Sequence, residues 1–186
     1  MKRFLKILRP AVSFLLIFTV LCGIVYTGAV TGIAQLIFPN KANGSIITVT
    51  LKDGTEKEIG SKLIAQEFTK PEYLIGRPSG TSNLSPTSKE LKKIVEERIK
   101  WWHEFDPNNT ADIPSDLIYA SGSGVDPNIS PAAAKYQVMR IAKVRSMDED
   151  TVREIIDKYT TGSFLGVFGE PSVNVLKVNL ALDGLL

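Results

Sequence analysis

The feature that most constrains this chain is an uncharged, apolar run near its N-terminus. No charged side chain occurs between Arg9 and Lys41, and residues 11–38 are dominated by Val, Leu, Ile, Phe, Ala and Gly. A helix needs about 20 apolar residues to cross the roughly 30 Å of hydrocarbon in a bilayer. Because the run exceeds that length, it predicts a transmembrane anchor helix over residues 11–38.

Basic residues are concentrated on one side of this run. Only Lys41 follows it closely, whereas four basic residues precede it: Lys2, Arg3, Lys6 and Arg9. Basic flanks of membrane helices stay in the cytoplasm. We therefore expect residues 1–10 to form a cytoplasmic basic flank and residues 39–186 to form an extracytoplasmic domain.

A cleavable signal peptide begins in the same way, with basic residues before an apolar segment. The run is longer than the roughly 7–15 apolar residues of such a signal, and the small residues Gly28 and Ala29 make no clear cleavage site. A retained anchor is therefore favoured. Its GAVTG sequence places Gly28 and Gly32 four positions apart, a spacing that lets membrane helices approach closely, so we expect a contact with a partner helix there.

Charge and residue usage exclude several classes of function for the part after the anchor. Without the basic flank, 18 basic and 20 acidic residues remain, a formal charge of −2 against +2 for the whole chain. This balance does not indicate a nucleic-acid surface. The only cysteine, Cys22, lies in the apolar run, and the only histidine, His103, ends a helical pattern, where a solvated or capping role is expected. A zinc site is therefore not predicted.

The residues after the anchor predict one small α+β domain. SIITVTLKDGTEKEIG alternates apolar and polar residues on both sides of an Asp-Gly pair, which predicts a hairpin with strands near residues 45–51 and 55–59. Residues 61–68 predict a short helix. The closing sequence VNVLKVNLAL alternates again and predicts a strand over residues 173–182. Strands and helices in separate blocks are typical of the α+β class.

Three longer helices are predicted from capping signals followed by apolar residues at helical spacing. TSKE at residues 87–90 matches a capping box and starts a helix that extends to about residue 105. Ser130 before Pro131 supplies an N-cap and a proline at the first helical position. Asp148 starts the third helix.

The loop SGSGVDP, residues 121–127, matches neither of two common catalytic loops. A nucleophile elbow needs glycine two residues before and two residues after the serine, whereas Ser123 has serine and valine there. A phosphate-binding GxxxxGK[ST] sequence does not occur in the chain, and this loop has no lysine. Two interpretations remain open: a nest of backbone N–H groups that holds an anion near the Pro131 helix, or a rigid turn in which Asp126 binds nearby amides.

Three segments taken together resemble one protein family. They are YLIGRPSGTSNLSPTSKEL, DLIYASGSGVDPNISPAAAKYQVMRIAKVR and GEPSVNVLKVNLALD, and their order and spacing, with the N-terminal anchor, agree over almost the whole chain. In these segments the chain resembles the C subunit of the Kdp-type, ATP-driven potassium uptake complex of bacteria. It departs mildly where many relatives read RPSA and carry a different residue before DP.

The resemblance implies a small accessory subunit of the bacterial cell membrane with one membrane helix and no catalytic turnover of its own. It implies two protein partners, a channel-like potassium-binding subunit and a P-type ATPase subunit, in addition to membrane lipid. It also implies a catalytic chaperone that raises the ATPase subunit's affinity for ATP. No tightly bound cofactor is expected, and nucleotide contact rests on the resemblance alone. The matching loop positions form the candidate site: Gly76, Arg77, Pro78, Ser79, Ser82, Asn83, Ser121, Gly122, Ser123, Gly124, Asp126, Pro127, Ser130, Pro131 and Gln137.

The predicted topology conflicts with direct contact between these loops and ATP, because ATP is cytoplasmic and the loops are expected outside. We therefore expect the domain to dock on the extracytoplasmic mouth of the channel-like subunit, where Arg77 and Asp126 would pair with partner charges. Two alternatives are a membrane-anchored domain that binds or senses a small ligand, and an anchored hydrolase. The hydrolase would need His103 as the base for Ser121 or Ser123.

Overall fold

The computed structural model describes residues 2–80, 83–163 and 166–186. The chain divides into two compact units, Met1–Ile46 and Ile47–Leu186. The first is helical and the second contains short strands and helices. The predicted class, an N-terminal apolar helix followed by a small α+β domain, is confirmed.

The first unit is a long helix whose apolar side chains are exposed. Its three consecutive segments are α1 (Lys2–Phe18), a π-helical segment (Thr19–Tyr26) and α2 (Thr27–Ile37). The part Lys6–Ile37 is long and apolar enough to cross a membrane. The helix ends at Phe38 because the residue before a proline is disfavoured in helical geometry, and Pro39 then begins the short helix α3 (Pro39–Ala42).

A hairpin follows at the position that the sequence predicts. Strand β1 (Ile46–Thr50) pairs with β2 (Glu56–Ser61). In the turn, the Asp53 carboxylate accepts the Thr55 N–H at 2.9 Å. Gly54 has a φ of +82°, which glycine adopts without steric cost.

The remaining described elements are helices and a second, antiparallel sheet. The helices are α4 (Lys89–Phe105), α5 (Pro131–Tyr136), α6 (Val138–Arg145), α7 (Glu149–Lys158) and α8 (Val175–Leu182), with a 3₁₀ turn at Ser115–Leu117. The strands are β3 (Asn128–Ile129), β4 (Thr160–Thr161) and β5 (Ser172–Asn174), in the order β3-β5-β4. In the register of this sheet, Ile129 lies opposite Val173.

Two of the three predicted helix caps are confirmed and one is shifted. The side chains of Ser130 and Asp148 each accept a backbone N–H from the first turn of their helix. In α4 the cap is Ser88 rather than Thr87, and its hydroxyl accepts the Leu91 N–H at 3.1 Å. The capping box therefore places this helix start one residue too early.

Helix α8 lies between two hydrophobic clusters, which explains why the predicted strand over residues 173–182 is wrong. Its Val175 and Val178 pack in the larger cluster, and Leu176 and Leu180 pack in the smaller cluster. A helix that is buried on all sides has no polar face and therefore no clear period of 3.6 residues. The alternation of apolar and polar residues in this segment does not reflect a strand. Of the ten residues predicted, only the first two, Val173 and Asn174, lie in β5.

Two further predictions differ from the structure. The predicted helix over residues 61–68 is wrong, because the Ala65 N–H bonds the Val125 carbonyl at 2.9 Å and Ser61 ends a strand. The helix that starts at Pro131 is interrupted at Gln137, whose backbone bends to φ −96° and ψ −7° between α5 and α6. The first segment bonds a distant loop instead of forming a helical turn, whereas Gln137 keeps a local bond from its N–H to the Ala134 carbonyl and also binds Ile75 through its side chain.

Candidate functional site

Two predicted loops meet on one face of the domain. The first loop is GRPSG, residues 76–80, and the second loop is SGSGVDP, residues 121–127. The Gly80 N–H donates to the Gly124 carbonyl at 3.1 Å. The structure therefore brings together candidate residues that are more than 40 positions apart in the sequence. Ser82 lies outside the described residues.

Arg77 joins the two loops through carboxylates of the same chain. Its Nη2 lies 2.7 Å from the Asp116 carboxylate, and its Nε lies 3.6 Å from the Asp126 carboxylate. We expected Arg77 and Asp126 to pair with charges of a partner, whereas here they pair with each other. Arg77 thus links the first loop to the second by an ion pair and makes its closer contact with Asp116, which lies outside both loops.

Buried side-chain amides hold the backbone that leads into the first loop. The Asn179 amide accepts the Leu74 N–H at 2.8 Å and donates to the Leu74 carbonyl at 2.9 Å. The Gln137 amide does the same to Ile75, at 2.8 and 2.9 Å. Both amides are at most 1% exposed. They satisfy buried backbone groups in the way a neighbouring strand would.

A buried arginine supports one of these amides. Arg140 donates to the carboxamide oxygen of Gln137 at 2.7 Å and to the backbone carbonyls of Pro71 and Tyr73. Burial lowers the pKa of Arg140 to about 10, and the Asp106 carboxylate acts in the opposite direction. The guanidinium therefore remains charged at neutral pH. Its hydrogen bonds hold the backbone at Pro71 and Tyr73, just before the first loop.

Serine side chains of the second loop accept several of the loop's own backbone N–H groups. The Ser121 hydroxyl accepts the N–H groups of Gly124 and Asp126, at 2.9 and 3.4 Å. The Asp126 carboxylate accepts the Asn128 N–H at 2.9 Å. This geometry supports the rigid-turn interpretation of the loop over an anion nest.

Backbone N–H groups at the start of α5 are also hydrogen-bonded within the chain. The Ser130 N–H donates to the Asp116 carboxylate at 2.6 Å, and the Ser130 hydroxyl accepts the Ala133 N–H. Phosphate groups bind at helix starts through free N–H groups and positive potential. Here the Ser130 and Ala133 N–H groups are bonded within the chain, and the Asp116 carboxylate lies beside them.

In the described parts of the chain, the hydroxyls of the two loop serines make no hydrogen bond to a base, so they form no catalytic pair there. The hydroxyls of Ser121 and Ser123 lie 3.3 Å apart and accept N–H groups of their own loop. His103 is exposed in the last turn of α4. Within the parts of the chain that the structure describes, no group of three His, Cys, Asp or Glu side chains could hold a metal ion.

Large apolar side chains surround the two loops. A cleft of about 230 Å³ between α4 and the loops is lined by Phe68, Arg77, Trp101 and Val125, among other residues. We define the loop face as the two loops, which include the exposed Val125, together with three adjoining exposed side chains: Ile64, Trp101 and Tyr119. An exposed apolar patch beside polar groups marks a contact surface.

Sequence reasoning missed three residues that build this face. Asp116 holds Arg77, and Asn179 and Arg140 hold the approach to the first loop. All three lie inside segments that carried the family resemblance. Asn179 had a visible signal, since it is a polar residue within the apolar sequence VLKVNLAL.

The predicted helix contact of the anchor stays a prediction. Gly28 and Gly32 lie in α2, and no atom of the described residues lies within 4 Å of the position that a Cβ would take at either glycine. The backbone is therefore open there to a neighbouring helix.

Comparison with known proteins agrees with the resemblance. The family model described as KdpC, K+-transporting ATPase, c chain, matches residues 8–184. A potassium-transporting ATPase KdpC subunit of Listeria monocytogenes is 55% identical over 188 residues, covering 100% of this chain and 99% of that protein. Proteins of the same name from Clostridium perfringens and Clostridium botulinum are 50% identical over 201 residues and 47% identical over 205 residues. They cover 98% and 100% of this chain, and 99% and 100% of their own lengths. The chain therefore belongs to the KdpC family of potassium-transporting ATPase subunits.

Proposed function

We propose that this chain is a non-catalytic accessory subunit that stabilises an ATP-driven potassium uptake complex in the bacterial cell membrane. Its partners are the channel-like potassium-binding subunit and the P-type ATPase subunit of that complex. Membership of the KdpC family and the apolar helix Lys6–Ile37 support a membrane-anchored subunit. The basic flank, residues 1–10, supports a cytoplasmic N-terminus and an extracytoplasmic domain over residues 39–186.

The loop face docks on the extracytoplasmic mouth of the channel-like subunit. The observation that carries this role is that the loops are locked to each other while the apolar side chains around them stay exposed. A preorganised surface binds a partner without the free-energy cost of ordering loops on contact. The exposed apolar side chains supply the area that association removes from water.

The effect on ATP affinity that the family resemblance implies is indirect in this proposal. The domain lies across the membrane from ATP, and the N–H groups of Gly124, Val125 and Asp126 in the second loop are already bonded within the chain. The subunit therefore acts by stabilising one arrangement of the assembled complex. A bound subunit can change the affinity of a distant site only if it binds one arrangement of the complex more tightly than the other.

A matched pair of substitutions tests the docking role. Val125 on the loop face and Val144 on α6 are 48% and 47% exposed. Val125→Asp places a carboxylate in the proposed interface, where an unpaired charge is costly, so retention of the chain in the purified complex falls by more than about tenfold. Val144→Asp leaves retention unchanged. Equal retention of both variants, with both still folded, would overturn the proposal.

The lock between the loops gives a second test. Arg77→Ala and Asp126→Ala each remove one side of the ion pair between the loops and loosen their contact, so complex assembly and potassium uptake both decrease. Normal assembly and uptake in both variants would mean that these residues do not shape the docking surface.

A further inference from the structure

The N-terminal half of α4 borders a groove beside the loop face, which we call the α4 groove. It has a volume of about 410 Å³, and its walls include Ser79, Leu91, Ile94, Arg98 and Tyr119. Leu91 and Ile94 are half-buried and belong to neither hydrophobic cluster of the described residues. Among the described residues, this part of the apolar stripe of α4 is therefore not covered by either hydrophobic cluster.

The opposite face of α4 needs no partner. It carries three lysine-glutamate pairs at i,i+4 spacing, each 3.8 Å apart: Lys92–Glu96, Lys93–Glu97 and Lys100–Glu104. Such exposed pairs contribute little to stability, but they balance the charge of a solvated face. Recognition by α4 is therefore expected on the groove side.

Arg98 is the uncompensated charge of the groove. Its Nη1 donates to the Ile118 carbonyl at 2.7 Å, and burial lowers its pKa. Among the described residues of the domain, each of the other four arginines has an ion pair or an attractive carboxylate nearby, and Arg98 has neither. A half-buried cation without a counter-charge is unfavourable in the free chain.

We propose that the α4 groove binds a segment of a partner subunit that carries a carboxylate beside a bulky apolar side chain. The carboxylate pairs with Arg98, and the apolar side chain covers Leu91 and Ile94. This inference rests on the proposed docking function and names the chemistry of the partner at one end of the loop face.

The groove combines a charged group, Arg98, with an apolar wall, and this combination favours a protein segment over a free anion. An inorganic anion would neutralise Arg98 but leave the wall of Leu91, Ile94 and Tyr119 in water. A segment that joins both groups covers charge and apolar surface together. Complementary charge at such a contact also fixes its register.

Site-specific photo-crosslinking in the assembled complex tests the inference. A benzoylphenylalanine placed at Ile94 reports on the groove, one at Val125 reports on the rest of the loop face, and one at Lys93 reports on the solvated face of the same helix. Mass spectrometry then identifies the attached peptide or lipid. The expected result is a partner peptide containing Asp or Glu next to an apolar residue at Ile94, and no adduct at Lys93.

The outcomes separate this inference from the docking function. A lipid adduct, a peptide without a carboxylate, or no adduct at Ile94 overturns the inference. If Val125 still crosslinks to a partner subunit in those cases, the docking function stands. If neither Ile94 nor Val125 gives a protein adduct, the groove inference and the docking function are both wrong.

Charge substitution at Arg98 gives an independent readout. Arg98→Gln keeps a polar side chain but loses the charge, so the adduct yield at Ile94 falls by about tenfold or more. Arg98→Lys retains most of the yield. Arg153→Gln, which also removes an arginine charge, leaves the yield unchanged because Arg153 lies beside its own carboxylates. An unchanged yield in Arg98→Gln contradicts the proposed ion pair.

Discussion

Replacing Asn179 with leucine tests whether buried amides hold the first loop in place. Asn179 is 1% exposed, and its amide makes two hydrogen bonds to the backbone of Leu74, which is completely buried. Leucine has a similar size but no polar atom. Asn179→Leu therefore leaves the Leu74 N–H and carbonyl without these partners while largely preserving the packing.

The expected loss of stability follows from the two unpaired groups. A buried backbone donor or acceptor that loses its partner costs about 1–3 kcal/mol, so the pair costs about 2–6 kcal/mol. Small domains unfold with free energies of only about 5–15 kcal/mol. The substitution therefore removes a large fraction of the domain's stability and loosens the backbone that leads to Arg77.

Urea unfolding of the full-length chain in detergent measures this loss. The fluorescence of Trp102, which is 2% exposed, reports on the domain core. Asn108→Leu is the control, since Asn108 is exposed, and its expected change is within about 0.5 kcal/mol. A change below about 1 kcal/mol for Asn179→Leu would refute the argument, because it would mean that Leu74 does not depend on this amide.

Three further predictions concern the interior and the ion-pair lock. Asp116→Asn lowers the unfolding free energy by about 2 kcal/mol, whereas Asp126→Asn lowers it by less than about 1 kcal/mol, because Asp116 is less exposed and closer to Arg77. Trp102→Phe costs about 2 kcal/mol in urea unfolding followed by circular dichroism, since it removes core volume and an indole N–H bond of 3.1 Å to a backbone carbonyl. Burial raises the pKa of Tyr136, so the stability from keeping it neutral is complete below about pH 10 and is lost as pH rises through the folded-state pKa. Tyr136→Phe reduces this alkaline loss when unfolding is compared at about pH 8 and about pH 11.

Each of these predictions has a result that contradicts it. Equal effects of the two aspartate substitutions would mean that Arg77 does not distinguish its partners. A negligible effect of Trp102→Phe would place that side chain outside the core. An alkaline loss of stability that is the same in Tyr136→Phe would assign the loss to other groups.

Local signals in the sequence predicted the local parts of the fold. The Asp53-Gly54 hairpin and the caps at Ser130 and Asp148 depend on a few neighbouring residues, and each appears where it was expected. Helix α8 could not be predicted this way, because its burial between two clusters removes the polar face that marks a surface helix.

In the candidate site, too, local sequence signals predict some features, whereas others depend on distant residues. The two loops stand out in the sequence by their glycine and serine content, but the groups that fix them come from far away. Asn179 lies 105 residues from Leu74, and Gln137 lies 62 residues from Ile75. No periodicity encodes such pairs, so the loops were predicted, whereas the amides that bind the loop backbone were not recognised in that role.

Sidedness of the second loop tests the central claim most directly. Ser123 is exposed, and Ser123→Cys in a Cys22→Ala background gives one thiol for a membrane-impermeant reagent in intact cells. Arg3→Cys in the same background is the control for the cytoplasmic flank. We expect labelling of the Ser123→Cys variant from outside when the chain is expressed alone, and weaker labelling when the partner subunits are present. Labelling only after lysis, with or without the partners, would place the loop in the cytoplasm and contradict extracytoplasmic docking.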